Sequence, residues 1–261
     1  MGSAGAGATR AVADAVVAVA AYLAGWIWLG WIWLGAAAAD PGPWFLALAA
    51  GAVVVLRAAG SVLRRKPRFS SPADRVTLGR AAVVACCAAV TTDGLLAGAL
   101  PGGLVVVLGT AAFLLDAVDG RVARLTGWAT AEGSRLDSDT DGALVLVLSC
   151  AAAGVFGPWP LAIGLMYYVF LAAAWFRPSL KTPLPPSTVR RVIGAGQPSA
   201  LLFALLPGVP TWLGATVLGP ALGLLAYSFG RDVIELERLR GVGPAAAAVS
   251  PGLSGGTPPG A

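Results

Sequence analysis

Apolar residues in this chain gather into eight long blocks, at about 11–35, 43–59, 76–97, 102–119, 139–157, 159–176, 192–208 and 211–230. Polar residues or Pro/Gly punctuation separate them: Pro41-Gly42-Pro43, Ser70-Ser71-Pro72, Pro101-Gly102-Gly103, Gly157-Pro158, 183–187 and 207–210. The blocks are close to the roughly 20 apolar residues that a membrane-crossing helix needs. The pattern predicts an all-α integral membrane protein, a single membrane domain with tails.

Composition agrees, with 57% hydrophobic and 12% charged residues and a mean hydropathy of +0.78; a soluble domain carries about 25% charged residues. The cations fall in alternate loops. Arg57, Arg64, Arg65, Lys66, Arg68, Arg75 and Arg80 lie between blocks two and three or at their facing ends, Arg121, Arg124 and Arg135 between four and five, Arg177, Lys181, Arg190 and Arg191 between six and seven, and Arg231, Arg238 and Arg240 after the last. The loops at 36–42, 98–101, 157–158 and 208–210 have no Lys or Arg. Under the positive-inside rule, the 119–138 loop and both termini face the cytoplasm, and the expected location is the cell (plasma) membrane. The net charge of +5 is thus spread as insertion requires, which argues against nucleic acid as a partner. The denser run Arg64-Arg65-Lys66-Pro67-Arg68 reads either as a topogenic signal or as a contact for anionic headgroups.

Other features add less. The N-terminal block is too long for a cleaved signal and is interrupted by Asp14, so it reads as a retained helix. Trp26, Trp28, Trp31 and Trp33, in the tandem GWIWLGWIWLG, read as interfacial anchors. Cys86, Cys87 and Cys150 sit in apolar runs with neither a disulfide framework nor a metal spacing. The tail 241–261, rich in Gly, Pro, Ala and Ser, is expected to be disordered.

The chemistry concentrates between blocks four and five, where six of the 13 acidic residues lie in 116–141. The run reads Asp116-x2-Asp119-Gly120-x2-Ala123-Arg124-x8-Gly133-x3-Asp137-x3-Asp141. Carboxylates at the edge of a membrane segment are costly and mark function. On helices, Asp116, Asp119 and Ala123 share one face, at i, i+3 and i+7, and Asp137 and Asp141 share another at i and i+4. Four carboxylates brought together cannot all stay ionised without a compensating cation. A divalent metal is the simplest one. Oxygen-only ligands favour Mg²⁺ or Mn²⁺ over zinc, and four of them can hold two ions as in phosphoryl displacement. Asp139 lies about 200° round the helix from Asp137 and is expected to point elsewhere; Glu132 also falls outside the pattern.

This run resembles, at every specified position, the signature of the CDP-alcohol phosphotransferase family. The resemblance implies a six-helix transmembrane core formed by the last six blocks, with the first two as an added N-terminal hairpin, and hence boundaries at 1–66, 67–240 and 241–261. It implies transfer of a phosphatidyl group from a CDP-linked lipid, commonly CDP-diacylglycerol, to an alcohol, with release of CMP. Asp116, Asp119, Asp137 and Asp141 would be the metal carboxylates, Asp141 also the base that takes the acceptor's proton, while Gly120, Ala123, Arg124 and Gly133 would shape the nucleotide pocket.

Physical reasons stand beside these roles. A diphosphate donor and the departing CMP both need positive charge, which two divalent ions supply, and Arg124 can fork onto phosphate oxygens. The chain has no histidine, so a neutral-pH base is a carboxylate or a lysine. The stretch PADRVTLGR at 72–80 more loosely resembles the family's lead into its first core helix: Asp74, Thr77 and Arg80 would line the nucleotide side, with helix capping the equal alternative for Asp74. A phosphorylated acceptor such as glycerol 3-phosphate or inositol phosphate would need cations, for which Arg135, Arg190, Arg191 and Lys181 are candidates. The motif does not choose the acceptor. Two other classes stay open, a cation-binding transporter and a silent scaffold of the same fold. The resemblance and the small-residue-rich helices are compatible with a homodimer.

Overall fold

The computed structural model describes residues 2–33, 41–66, 69–100, 102–126, 130–176 and 188–242. They form eight helices, with no strand among the described residues: α1 (Gly2–Trp33), α2 (Pro41–Leu63), α3 (Pro72–Leu96), α4 (Gly102–Thr126), α5 (Ala131–Phe156), α6 (Leu161–Phe176), α7 (Thr188–Leu205) and α8 (Thr211–Val242). Each expected block has its own helix. Five of them, α1, α2, α3, α5 and α8, are long and apolar enough to cross a membrane, whereas α4, α6 and α7 carry the shorter apolar stretches Gly102–Val118, Leu161–Ala173 and Val192–Leu205.

Several helices outrun their hydrophobic blocks, because hydropathy marks the membrane-grade stretch and backbone capping marks the helix. Helix α5 starts at Ala131 rather than near 139, and the Thr130 hydroxyl there accepts the Gly133 N–H at 3.0 Å. Helix α8 runs on to Val242, so the first two residues of the expected tail are helical; the rest of the tail lies outside the described residues.

Helix α3 is the axis of the bundle. It packs against α1, α2, α4 and α5, and 72% of its apolar window is buried, against 22% to 44% for the other four long spans. Its sequence suits that position, with Ala81, Ala82, Ala85, Ala88 and Ala89 all buried and small enough to let neighbouring helices approach closely. Its start is closed by a capping box: Ser71 Oγ accepts the Asp74 N–H at 3.1 Å and Asp74 accepts the Ser71 N–H at 2.7 Å. Asp74 also takes both terminal nitrogens of Arg65, at 2.8 and 2.9 Å. Arg65 is therefore a buried structural cation, not a headgroup contact.

Glycine notches set the closest contacts. A Cβ on Gly51 of α2 would lie 2.5 Å from the Ala85 carbonyl oxygen on α3, and one on Gly164 of α6 would lie 2.6 Å from the Leu146 Cα on α5. The tryptophan run divides. Trp26 is buried and meets Trp44 at a ring distance of 5.9 Å, while Trp28 and Trp31 are 63% and 83% exposed. Interfacial anchoring therefore fails for Trp26, whose ring faces inward because α2 packs on that side of α1. The side chain of Trp33 lies outside the described residues.

Candidate active site

Two helices carry the acidic cluster. Asp116 sits in the second half of α4, and Asp137 and Asp141, one turn apart, sit in the first half of α5. Their carboxylate oxygens come within 4.8 Å of one another: Asp137 and Asp141 share a face, as the i, i+4 spacing predicts, and that face meets the one bearing Asp116.

The centre of the cluster is Arg80, from α3. Its Nη1 donates to Asp116 Oδ1 and Asp141 Oδ1, both at 2.6 Å, and its Nη2 donates to Asp137 Oδ1 and to the Asp137 carbonyl at 3.4 Å. The Arg80 side chain is 1% exposed, whereas those of Asp116, Asp137 and Asp141 are 38%, 40% and 47% exposed. The site is a buried cationic floor beneath a rim of accessible carboxylates. Arg80 suits the floor because a guanidinium stays charged when buried and presents several donors in a fixed plane.

From the sequence, Arg80 is expected on the nucleotide side and a metal is expected to compensate the acids. The structure places a built-in cation among them first. Its signal in the sequence is an arginine where the polar start of α3 gives way to the apolar run 81–90, but only the packing of α3 against α4 and α5 shows where it points.

The donor set still fits a divalent ion. Among the described residues, three carboxylates against one guanidinium leave two negative charges without a counter-ion inside the cluster, and each carboxylate has a second oxygen beyond the one that the Arg80 hydrogen bonds given above engage. Hard oxygen donors of this kind suit Mg²⁺ or Mn²⁺.

The remaining candidates fall into three groups. Asp74, Thr77 and Gly133 lie together at the starts of α3 and α5: a Cβ on Gly133 would come within 3.5 Å of Asp74 Oδ1 and 3.1 Å of Thr130 Oγ1. Asp74 is engaged there as cap and ion-pair partner, and the Thr77 hydroxyl donates to the Ala73 carbonyl at 3.1 Å. Arg135 is exposed on the first turns of α5. Asp119, Gly120, Ala123 and Arg124 are on the last turns of α4 and Arg190 and Arg191 on the first turn of α7, with side chains outside the described residues; Lys181 lies outside them altogether. Asp139 points away from the cluster as expected, and its carboxylate accepts the Tyr167 hydroxyl at 2.8 Å.

Residues 71–227 match the sequence profile of the CDP-alcohol phosphatidyltransferase family. No curated protein and no solved structure matches the chain significantly.

Proposed function

The chain belongs to the CDP-alcohol phosphatidyltransferase family, and on that premise we propose that it transfers the phosphatidyl group of CDP-diacylglycerol to a small phosphorylated alcohol, glycerol 3-phosphate or inositol phosphate, releasing CMP. Membership makes it a multi-pass membrane transferase of substituted phosphate groups, of a kind that is typically dependent on divalent metals. The observation that carries the finer reading is the convergence of Asp116, Asp137 and Asp141, within 4.8 Å of one another, over the buried Arg80 inside the matched region.

In this reading Asp116, Asp119, Asp137 and Asp141 hold two divalent ions. Bound there, the ions would neutralise the donor diphosphate and the charge that develops on the departing CMP. Asp141 takes the proton of the acceptor hydroxyl as its oxygen forms a bond to the β-phosphorus, the one bearing the diacylglycerol; the bond from that phosphorus to the bridging oxygen breaks, and CMP leaves with that oxygen. Arg80 holds Asp141 through one carboxylate oxygen, which orients the other. Arg124 and the small residues Gly120, Ala123 and Gly133 receive the nucleotide, and Arg135, Arg190, Arg191 and Lys181 serve the acceptor phosphate. The Lys/Arg distribution supports a site on the cytoplasmic face of the cell membrane.

The test is CMP release from CDP-diacylglycerol by the purified protein with Mg²⁺ or Mn²⁺, against glycerol 3-phosphate, inositol phosphate, inositol, serine and a lipid alcohol. Release that requires one of the two phosphorylated acceptors supports the proposal. Release that requires another acceptor replaces the acceptor assignment, and no release from folded, metal-loaded protein turns attention to ion flux or a silent scaffold.

A further inference from the structure

A cavity of about 640 Å³ lies on the opposite side of α5 from the aspartate cluster, between α2, α3, α5 and α6. Its α5 wall is Asp139, Thr140, Ala143, Leu146, Val147 and Cys150, spaced as one broad helical face. That face rises about 16 Å at 1.5 Å per residue, close to half of the ~30 Å hydrocarbon thickness of a bilayer and so to the depth of one leaflet. Val53, Leu95 and Leu96 line the cavity yet are 60%, 39% and 50% exposed, so it opens sideways, where lipid would be.

Its charged groups are gathered toward one end. Arg57 near the end of α2 and Asp139 near the start of α5 line it together with Tyr168 of α6, while the walls beyond are chiefly Ala, Val and Leu, with Thr91, Thr92 and Cys150 among them. Among the described residues Arg57 forms no ion pair and the Tyr168 hydroxyl no hydrogen bond. Helix α2 also lies outside the matched region 71–227, so this wall is supplied by the N-terminal extension.

We propose that this slot binds one membrane phospholipid with a phosphate–ammonium headgroup, its acyl chain along the α5 face and its headgroup between Arg57 and Asp139. The mouth offers one cation and one anion, the complement of a zwitterion: the lipid phosphate takes Arg57 and the Tyr168 hydroxyl, and the ammonium donates to Asp139, whose carboxylate has acceptor capacity beyond the Tyr167 bond. The volume falls in the range of small-molecule sites, about 300–1,000 Å³, enough for a headgroup and part of a chain with the rest of the lipid outside. The site would give the hairpin α1–α2 a function, as one wall of a lipid seat. It is independent of the proposed catalysis.

The experiment is native mass spectrometry of the full chain after delipidating detergent washes and re-addition of phosphatidylethanolamine, phosphatidylcholine or phosphatidylglycerol. Wild type should retain one phosphatidylethanolamine per chain, at least tenfold over the other two. Arg57→Gln should lower retention about tenfold, and Ala143→Phe, which fills the slot, should abolish it, both in protein that elutes as one species. Asp116→Asn, on the other side of α5, should retain the lipid fully. The proposal is overturned if wild type retains no lipid, if detergent or any lipid is held equally well, if both slot variants bind as wild type, or if a concentration-dependent second copy of the chain displaces the lipid. Should Ala143→Phe fail to fold, Arg57→Gln still decides.

Discussion

Replacing Arg80 by methionine keeps an unbranched stem about as long as arginine's as far as Nε and removes the only cation that the structure places among Asp116, Asp137 and Asp141 in the described residues. Three carboxylate oxygens then face one another within 4.8 Å. At that separation each like-charged pair costs about 0.9 kcal/mol in bulk water and about 3.5 kcal/mol at an effective dielectric of 20. The rim is roughly two-fifths exposed, so the true figure lies between these limits, and three pairs together amount to roughly 3–10 kcal/mol. Protonation would relieve the upper part of that range, leaving the loss of about 3–5 kcal/mol seen when one partner of a buried charge pair is removed. At roughly 2–4 °C per kcal/mol for a chain of about this size, the midpoint of thermal unfolding should fall by about 6–20 °C. The assay is thermal unfolding in detergent, with chelator and again with millimolar Mg²⁺ or Mn²⁺. A divalent ion at 100 times its dissociation constant adds about 2.7 kcal/mol to a protein that binds it, so the midpoint of the variant, like that of wild type, should rise by about 5–11 °C when metal is added. A variant midpoint equal to that of wild type in chelator would refute the claim that Arg80 compensates the acids, and midpoints indifferent to divalent ions in both proteins would refute the claim that the rim takes them.

Other perturbations test neighbouring parts of the argument. Asp141→Asn, isosteric but without the basic carboxylate, should cut CMP release by about 10²–10⁴-fold with an unchanged elution profile, and normal turnover would remove Asp141 from the role of base. Arg65→Met strands the buried Asp74 and should cost about 3–5 kcal/mol; the double variant Arg65→Met/Asp74→Leu should cost clearly less than the two single variants summed, and strict additivity in thermal unfolding would show that the pair is not coupled. Gly51→Ala should destabilise by about 1–3 kcal/mol, since its Cβ would meet the Ala85 carbonyl oxygen and the Tyr22 hydroxyl at 2.5 Å. Gly60→Ala, on the same helix with nothing within 4 Å, should instead stabilise by about 0.5–1 kcal/mol, and equal effects at the two sites would contradict the packing of α2 on α3.

Much of this molecule was legible one residue at a time. The eight helices follow from apolar blocks cut by Pro and Gly, and the family follows from the spacing between Asp116 and Asp141. The i, i+3 and i+4 spacings put each set of acids on one helical face because helical period is a local property of the chain. Asp139 was assigned to another face on the same ground, and it is on another face.

What the sequence could not decide was which faces meet. Arg65 and Arg80 both stand in the cation-rich stretch before and into α3, and in a list of charges they look alike. Folding buries both, one as the ion-pair partner of the Asp74 cap and the other as the floor of the acidic cluster. Trp26 and Trp28, two residues apart, part company for the same reason, one packed on Trp44 and the other exposed. A helix's period determines which residues travel together, and that is written locally; the rotation and depth of each helix against its neighbours depend on contacts such as Gly51 with Ala85, between positions far apart in the chain. The four-helix cavity with Arg57 and Asp139 at its mouth exists only at that level, because it needs four faces to be left incompletely filled at once.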